Sequence, residues 1–243
     1  MQKLISYPLS AIYYLLFGST LVIFHAIQWV CFNFFGYEAH KKSVDGLFFF
    51  LVFNTYILGT RYKVSGLDKL PTDTPLIIAA NHQSWYDIPA LGWYLRKVHP
   101  KFVSKIELGK GIPSISYSLR HGGSVLIDRK NAKQALSAIQ EMGKYIESNK
   151  RSVVIFPEGT RSITGVPKAF AENGIKILCK YAPSALVVPI TINNAWKMTR
   201  WGSFPLGIGN TIELIVHDSF PIKDMSFKEL FEKTEKMVTE AIY

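Results

Sequence analysis

Residues 4–37 of the 243-residue chain include no Asp, Glu, Lys or Arg, and residues 11–24 are almost wholly apolar or aromatic. A charge-free stretch of this length exceeds the ~20 residues needed to cross a bilayer. Cysteine is nearly absent too. Cys31 and Cys179 are the only two, with no C-x-x-C and no zinc spacing, which argues against a disulfide framework and thiolate chemistry and leaves two single buried thiols. No G-x-S-x-G elbow, P-loop, G-x-G-x-x-G or H-E-x-x-H occurs, so serine hydrolysis, nucleotide hydrolysis, dinucleotide binding and zinc proteolysis have no support. No metal site is expected. Internal repeats and low-complexity tracts are also missing.

What the sequence has in quantity is apolar surface and positive charge. Apolar residues make up 48% and aromatics 14%, enough for one good core with apolar surface to spare. A second apolar run, residues 47–59, follows a polar break containing Glu38, His40, Lys41, Lys42 and Asp45. It is too short to span and reads as a re-entrant, interfacial or buried helix. The two runs therefore predict either a spanning helix plus a core helix or a helical hairpin seated in one leaflet, with the hairpin preferred. A cleaved signal peptide is disfavoured: its n-region would hold only Lys3, its apolar stretch is too long and no A-x-A-like site follows.

The net charge is +10, and of the 28 Lys and Arg only Lys3, Lys41 and Lys42 precede residue 60. A basic body beside an apolar anchor suits an anionic lipid surface. Nucleic acid is not expected as a partner, because no helix-turn-helix, RNP or zinc-finger pattern accompanies the charge. Positive-inside reasoning puts Arg61, Lys63 and the basic domain on the cytoplasmic face. We expect a membrane anchor over residues 1–60 and a catalytic domain over 61–243, with Gly66, Pro71 and Pro75 marking the entry.

Beyond the anchor, short β-rich runs alternate with longer helical periodicities, which predicts an α/β domain with a largely parallel central sheet flanked by helices. Strands are expected at 76–80, 124–127, 152–156, 186–191 and 211–216, all rich in Val, Ile and Leu as strands covered on both faces are. Ala132, Ala135, Leu136, Ile139, Met142 and Ile146 form one helical stripe. Phe227, Leu230, Phe231, Met237, Val238, Ala241 and Ile242 form another, with Ser226 and Glu229 as its capping box. Both stripes are expected to face the core.

The first expected strand leads into Asn81-His82-Gln83-Ser84-Trp85-Tyr86-Asp87. Residues five apart in one helix lie about 140° apart around its axis, so His82 and Asp87 meet only across a turn. With Ser84 as N-cap, Asp87 falls at N3 and its carboxylate points back toward His82. An imidazole can take a proton near neutrality, and a neighbouring carboxylate fixes its tautomer and stabilises the imidazolium. The plainer alternative is a capping box beside an ordinary turn histidine.

Residues 152–156 end in Pro157-Glu158-Gly159-Thr160-Arg161-Ser162. Arg161 offers a planar fork suited to phosphate oxygens, and Glu158 is expected to hold that fork. Gly159 allows either an unusual φ or a close backbone approach; an exposed turn with a local ion pair is the alternative. A third block, Gly122 to Lys130, places Arg129 after a strand, and Lys105 precedes Glu107 in 102–108. Cationic strand ends invite an anion, and in open α/β sheets ligands gather at the carboxyl ends of strands. Solvated charge is the alternative for Lys105 and Arg129.

Four blocks in order, 81–87 with its H-x4-D, 123–129, Phe156-Pro157-Glu158-Gly159-Thr160-Arg161, and Val187-Val188-Pro189-Ile190, make the chain resemble the glycerolipid acyltransferases typified by bacterial 1-acylglycerol-3-phosphate acyltransferases. The resemblance covers about residues 62–192. It implies transfer of a fatty acyl group from acyl-CoA or acyl carrier protein to the free hydroxyl of lysophosphatidic acid at the bacterial inner membrane, with no cofactor. It implies His82 as general base, Asp87 as its orienting acid, and a phosphate site of Arg161, Glu158, Gly159 and Thr160 to which Arg129 and Lys105 contribute. Backbone amides near the first-block turn are expected to stabilise the oxyanion. Two segments depart from the family pattern, 171–176 and 114–117, which bears on acyl-chain and acceptor preference. Another lysolipid acceptor, such as an aminoacyl lysolipid, and a non-catalytic anionic-lipid-binding module are the competing readings.

Overall fold

In the computed structural model, which describes residues 1–243, eight strands form one mixed sheet. They are β1 (Arg61–Ser65), β2 (Leu76–Ala80), β3 (Pro100–Lys105), β4 (Val125–Ile127), β5 (Ser152–Ile155), β6 (Leu186–Asn193), β7 (Thr211–Val216) and β8 (Phe220–Pro221). The order across the sheet is β1-β7-β6-β2-β5-β3-β4, with β8 also pairing to β6. From β6 to β4 all neighbours are parallel, while β7 lies antiparallel to β6 and carries β1 parallel to itself. The expected α/β class with a largely parallel sheet is what forms.

Every side chain of β2 is at 0% exposure, and the period-two alternation divides them between two cores. Leu76, Ile78 and Ala80 pack with Ala90 and Leu91 of α2 (Asp87–Tyr94), while Ile77 and Ala79 pack with Ile175 and Leu178 of α5 (Glu172–Tyr181). Three other helices complete the flanks: α3 (Ile115–His121), α4 (Ala132–Asn149) and α6 (Phe227–Thr239). Ser226 and Glu229 cap α6 reciprocally, as expected. The α4 stripe departs from expectation. Met142 and Ile146 are core, but Ala132, Ala135, Leu136 and Ile139 line a cavity. Strands β1 and β3 have no counterpart among the expected strands, because Arg61, Lys63, Lys101 and Lys105 interrupt their apolar pattern.

The N-terminal helix α1 (Gln2–Asn54) is two helices joined at Gly36, whose φ of 77° and ψ of −167° lie in a region that is essentially glycine's alone. Its arms, 2–35 and 37–54, run antiparallel. Asn54 donates to Thr20 Oγ1 at 2.9 Å, Leu21 packs on Leu47 and Leu51, and Phe24 meets Phe50 at 5.5 Å between ring centroids. The break is therefore one glycine, not the polar stretch 38–45, which stays helical. Its charges face the folded domain instead: Lys41 pairs with Asp45 at 2.5 Å and donates to the Arg96 carbonyl, and Glu38 lies 3.8 Å from Arg151.

The first arm also lies along the domain. Ser10 Oγ accepts from the Leu206 N–H at 2.8 Å, Tyr13 packs edge-on against Tyr86, Ser114 Oγ donates to the Leu21 carbonyl at 2.6 Å, and Asn33 donates to the Tyr117 hydroxyl at 3.2 Å. A helix held at both ends and in the middle does not leave the domain to cross a bilayer alone, so the spanning reading gives way to the hairpin. On its outer face Leu4, Leu15, Phe34 and Phe35 are each about 70% exposed.

Gly36→Ala is expected to destabilise the hairpin by about 1–3 kcal/mol through backbone strain. Gly18→Ala, with nothing within 4 Å of a new Cβ, should be neutral or stabilising by ~0.5–1 kcal/mol. Thermal unfolding, together with the yield of a Thr20→Cys/Asn54→Cys crosslink between the arms, measures both.

Candidate active site

After β2 the chain turns, and three successive backbone N–H groups donate to carboxylates. The His82 N–H reaches Glu158 Oε1 at 2.8 Å, and those of Gln83 and Ser84 reach Asp87 Oδ2 at 2.7 and 2.9 Å. Flanking side chains pin the turn to β6 and the loop beyond it. The Asn81 carboxamide exchanges two hydrogen bonds with the Ile192 backbone, at 2.8 and 2.7 Å, and Gln83 Oε1 accepts from the Ala195 N–H at 3.0 Å.

Asp87 opens α2 with Tyr86 as the cap, so Ser84 is not the N-cap and Asp87 is not at N3. The carboxylate nevertheless reaches back as expected, and the same Oδ2 lies 2.7 Å from His82 Nδ1. The pair is thus more than a capping box. Asp87 is 1% exposed, and the Phe156 ring stacks on the imidazole with centroids 4.1 Å apart and planes 19° apart. With Nδ1 engaged, Nε2 is the nitrogen left for a ligand. Since the amides of residues 82–84 are all taken, the first-block turn does not supply the expected oxyanion donors.

Glu158 does not hold Arg161. Its carboxylate accepts from the His82 N–H through Oε1 and from the Lys168 N–H through Oε2 at 3.1 Å. Burial raises its pKa, and those two amides oppose the rise. Its reach across the site made it invisible in sequence, where the adjacent cation was the obvious partner. Gly159 has φ 68° with nothing within 4 Å of a would-be Cβ, so conformation rather than close approach requires glycine. Thr160 Oγ1 accepts from Lys168 Nζ at 2.6 Å, and the same ammonium donates to the Arg161 carbonyl at 3.0 Å. Lys168 closes this loop without any spacing signal in the sequence.

The Arg161 guanidinium lies over the Trp85 ring, 4.4 Å from its centroid, and no carboxylate pairs with it. Burial lowers its pKa; Asp87 opposes that shift and the positive charge of Arg129 adds to it. Trp85, 67% exposed, was not singled out from sequence. Its place inside the H-x4-D string was the only available signal. Lys105 ends β3 and Arg129 follows β4, both exposed. His82, Arg161, Lys105 and Arg129 thus sit at the carboxyl ends of the adjacent parallel strands β2, β5, β3 and β4, and all four line one cavity.

That cavity measures about 1580 Å³, beyond the ~300–1,000 Å³ typical of small-ligand pockets. Its inner walls are apolar, with Leu47, Phe48 and Leu51 of α1 facing Phe102 and Val103 of β3. Both segments that depart from the family pattern border it, through Ile115 and through Ala171, Asn173 and Gly174. Cys179 is buried, which pushes its thiol up to about 12. No group of three His, Cys, Asp or Glu side chains is placed to hold a metal ion.

The profile of the acyltransferase family matches residues 61–193. A 1-acyl-sn-glycerol-3-phosphate acyltransferase of Pseudomonas aeruginosa is 25% identical over 189 residues, covering 76% of this chain and 70% of that protein. One from Saccharomyces cerevisiae is 33% identical over 155 residues, covering 62% of this chain and 50% of the yeast protein. The chain thus spans between half and about two thirds of the relatives it matches. The crystal structure of a 1-acyl-sn-glycerophosphate acyltransferase from Thermotoga maritima shares the fold, with a TM-score of 0.83 at 24% identity over 99% of this chain and 95% of that one. Because the family profile covers more than half of the 243 residues and takes in His82, Asp87, Glu158 and Arg161, the chain belongs to the acyltransferase family.

Proposed function

We propose that the protein transfers a fatty acyl group from acyl-CoA or acyl carrier protein to the free hydroxyl of 1-acyl-sn-glycerol 3-phosphate, giving phosphatidic acid. The observation that carries this reading is a carboxylate-held imidazole beside an unpaired guanidinium on the rim of one large apolar cavity. The acceptor phosphate sits against Arg161, with Arg129 and Lys105 adding positive charge, which leaves its hydroxyl toward His82. His82 Nε2 removes the hydroxyl proton as the oxygen attacks the thioester carbonyl, and Asp87 stabilises the imidazolium that forms. The tetrahedral centre then collapses, the C–S bond breaks, and the proton passes to the departing sulfur. No covalent acyl-enzyme, cofactor or metal takes part.

The outer apolar face of the hairpin seats in one leaflet of the bacterial inner membrane with the basic domain on the cytoplasmic side. The supports are about 70% exposure at Leu4, Leu15, Phe34 and Phe35 and the +10 net charge. A lysolipid then reaches the rim laterally from the leaflet. An assay of purified protein in bilayers, with both donor types and a panel of lysolipids, tests the assignment. Acylation of 1-acyl-sn-glycerol 3-phosphate is expected; acylation of an aminoacyl lysolipid in its place would refute the acceptor.

His82→Ala is expected to lower kcat by ~10²–10⁴-fold while acceptor binding persists, because the base acts mainly in the transition state. A non-catalytic lipid-binding module would instead show no turnover to lose. Arg161→Ala should raise the acceptor KM by about 10–100-fold, the effect of losing a charge-assisted hydrogen bond. Glu158→Gln, unable to accept from both the His82 and Lys168 amides, should lower kcat and leave that KM near the wild-type value. Steady-state kinetics separates the two; a matching rise in KM for Glu158→Gln would return Glu158 to the phosphate site.

A further inference from the structure

The cavity has a second end. β3 forms part of its wall and runs from Lys105, at the catalytic rim, back to Lys101, about 13 Å away by strand rise over four residues. Between them lie Phe102 and Val103, and beyond Lys101 the lining turns from apolar to ionisable. Tyr37, His40, Lys41 and Asp45 of the second hairpin arm meet His99 and Lys101 there.

Some of these groups are already satisfied. Lys41 pairs with Asp45, and the Arg151 guanidinium lies 4.4 Å from the centroid of the Tyr37 ring. The others are not. His40 is 0% exposed with neither ring nitrogen hydrogen-bonded, and Nδ1 of His99 is buried and unpaired. Lys101, 5% exposed, uses one of its three donors, on the Tyr37 hydroxyl at 2.7 Å. Burial lowers the Lys101 amine to about 7, with Arg151 and Lys41 adding to the shift. Unpaired buried polar groups are scarce in folded proteins, yet three such side chains gather at one end of one cavity.

An unsubstituted hydrocarbon tail pushed into this end desolvates an amine and two imidazoles and returns no hydrogen bond. A chain with an oxygen at that depth does return one. We propose that the far end of the cavity recognises a hydroxyl group on the distal part of the acyl chain, so that the preferred donor is a hydroxylated fatty acyl thioester. Lys101 donates to the hydroxyl oxygen, a ring nitrogen of His40 accepts its proton side, and Tyr37 fixes the direction of the Lys101 amine. The inference rests on the acyltransferase reading for the identity of the ligand, while its geometry rests on the cavity alone.

The test is competition between hexadecanoyl-CoA and the same thioester hydroxylated in its distal third, using the full-length protein and 1-acyl-sn-glycerol 3-phosphate. The hydroxylated donor should have a kcat/KM higher by about tenfold or more, the direction expected of a site built to hydrogen-bond a substrate hydroxyl. Lys101→Met and His40→Phe should each bring that ratio to one or below by losing the hydroxylated donor and gaining the plain one. A wild-type ratio near one overturns the proposal, and so does a preference that survives both substitutions. Displacement of a fluorescent fatty acid by the two free acids gives a readout independent of turnover and of the variants' folding. If the hydroxylated acid displaces better while no donor is turned over, the enzymatic reading fails and the recognition stands; turnover without discrimination in either measurement sinks the recognition alone.

Discussion

One carboxylate oxygen organises the site. Oδ2 of Asp87 accepts from the Gln83 and Ser84 N–H groups and bonds His82 Nδ1, all within 2.9 Å. A carboxylate at 1% exposure is expensive to desolvate, and it is tolerated because these donors and the N-terminus of α2 surround it. The dependence runs both ways. Without Asp87 the turn after β2 has two unpaired buried amides and the imidazole has no fixed tautomer; without the turn, Asp87 is an isolated buried charge. The shape of the loop and the chemistry of the histidine are thus one interaction.

Glu158 repeats the device on the neighbouring turn, bonding the His82 and Lys168 backbones. The consequence is a division of labour. Acidic side chains at the site hold backbone and imidazole, and the cations Arg161, Arg129 and Lys105 are left without acidic partners within salt-bridge distance. Parallel pairing of β2, β5, β3 and β4 sets their carboxyl ends side by side, so residues up to 79 positions apart share one rim. Stacking of Arg161 on Trp85 orients the guanidinium without neutralising it, which suits an anionic ligand better than an internal ion pair would.

Much of this was legible in the sequence for a physical reason. Apolar runs such as 76–80 and 152–155 admit few placements other than central strands, and a histidine and an aspartate straddling a strand-to-helix turn have little choice but to meet. Long-range pairing was not legible. Glu158 lies next to Arg161 in sequence and was assigned to it, whereas its partners are amides on two other segments. The polar stretch 38–45 looked like a turn because charge usually marks solvent; here Lys41, Asp45 and Glu38 face the domain, and the reversal belongs to Gly36. Nor did the charge-free first arm reveal that Ser10, Tyr13 and Asn33 fasten it to the domain, since an apolar helix packed on protein and one packed on lipid read alike. β3 escaped for the opposite reason: Lys101 breaks its apolar pattern, and that lysine is buried only because the hairpin covers it.

The central claim is that His82 activates the acceptor hydroxyl for direct attack on the thioester. It is tested most directly by mixing stoichiometric protein with acyl-CoA and following both free thiol and intact protein mass, before and after 1-acyl-sn-glycerol 3-phosphate is added. Direct transfer gives no thiol burst and no acylated protein until the acceptor arrives, then one thiol released per phosphatidic acid formed. A stoichiometric burst with an acyl adduct on the chain in the absence of acceptor would contradict the account.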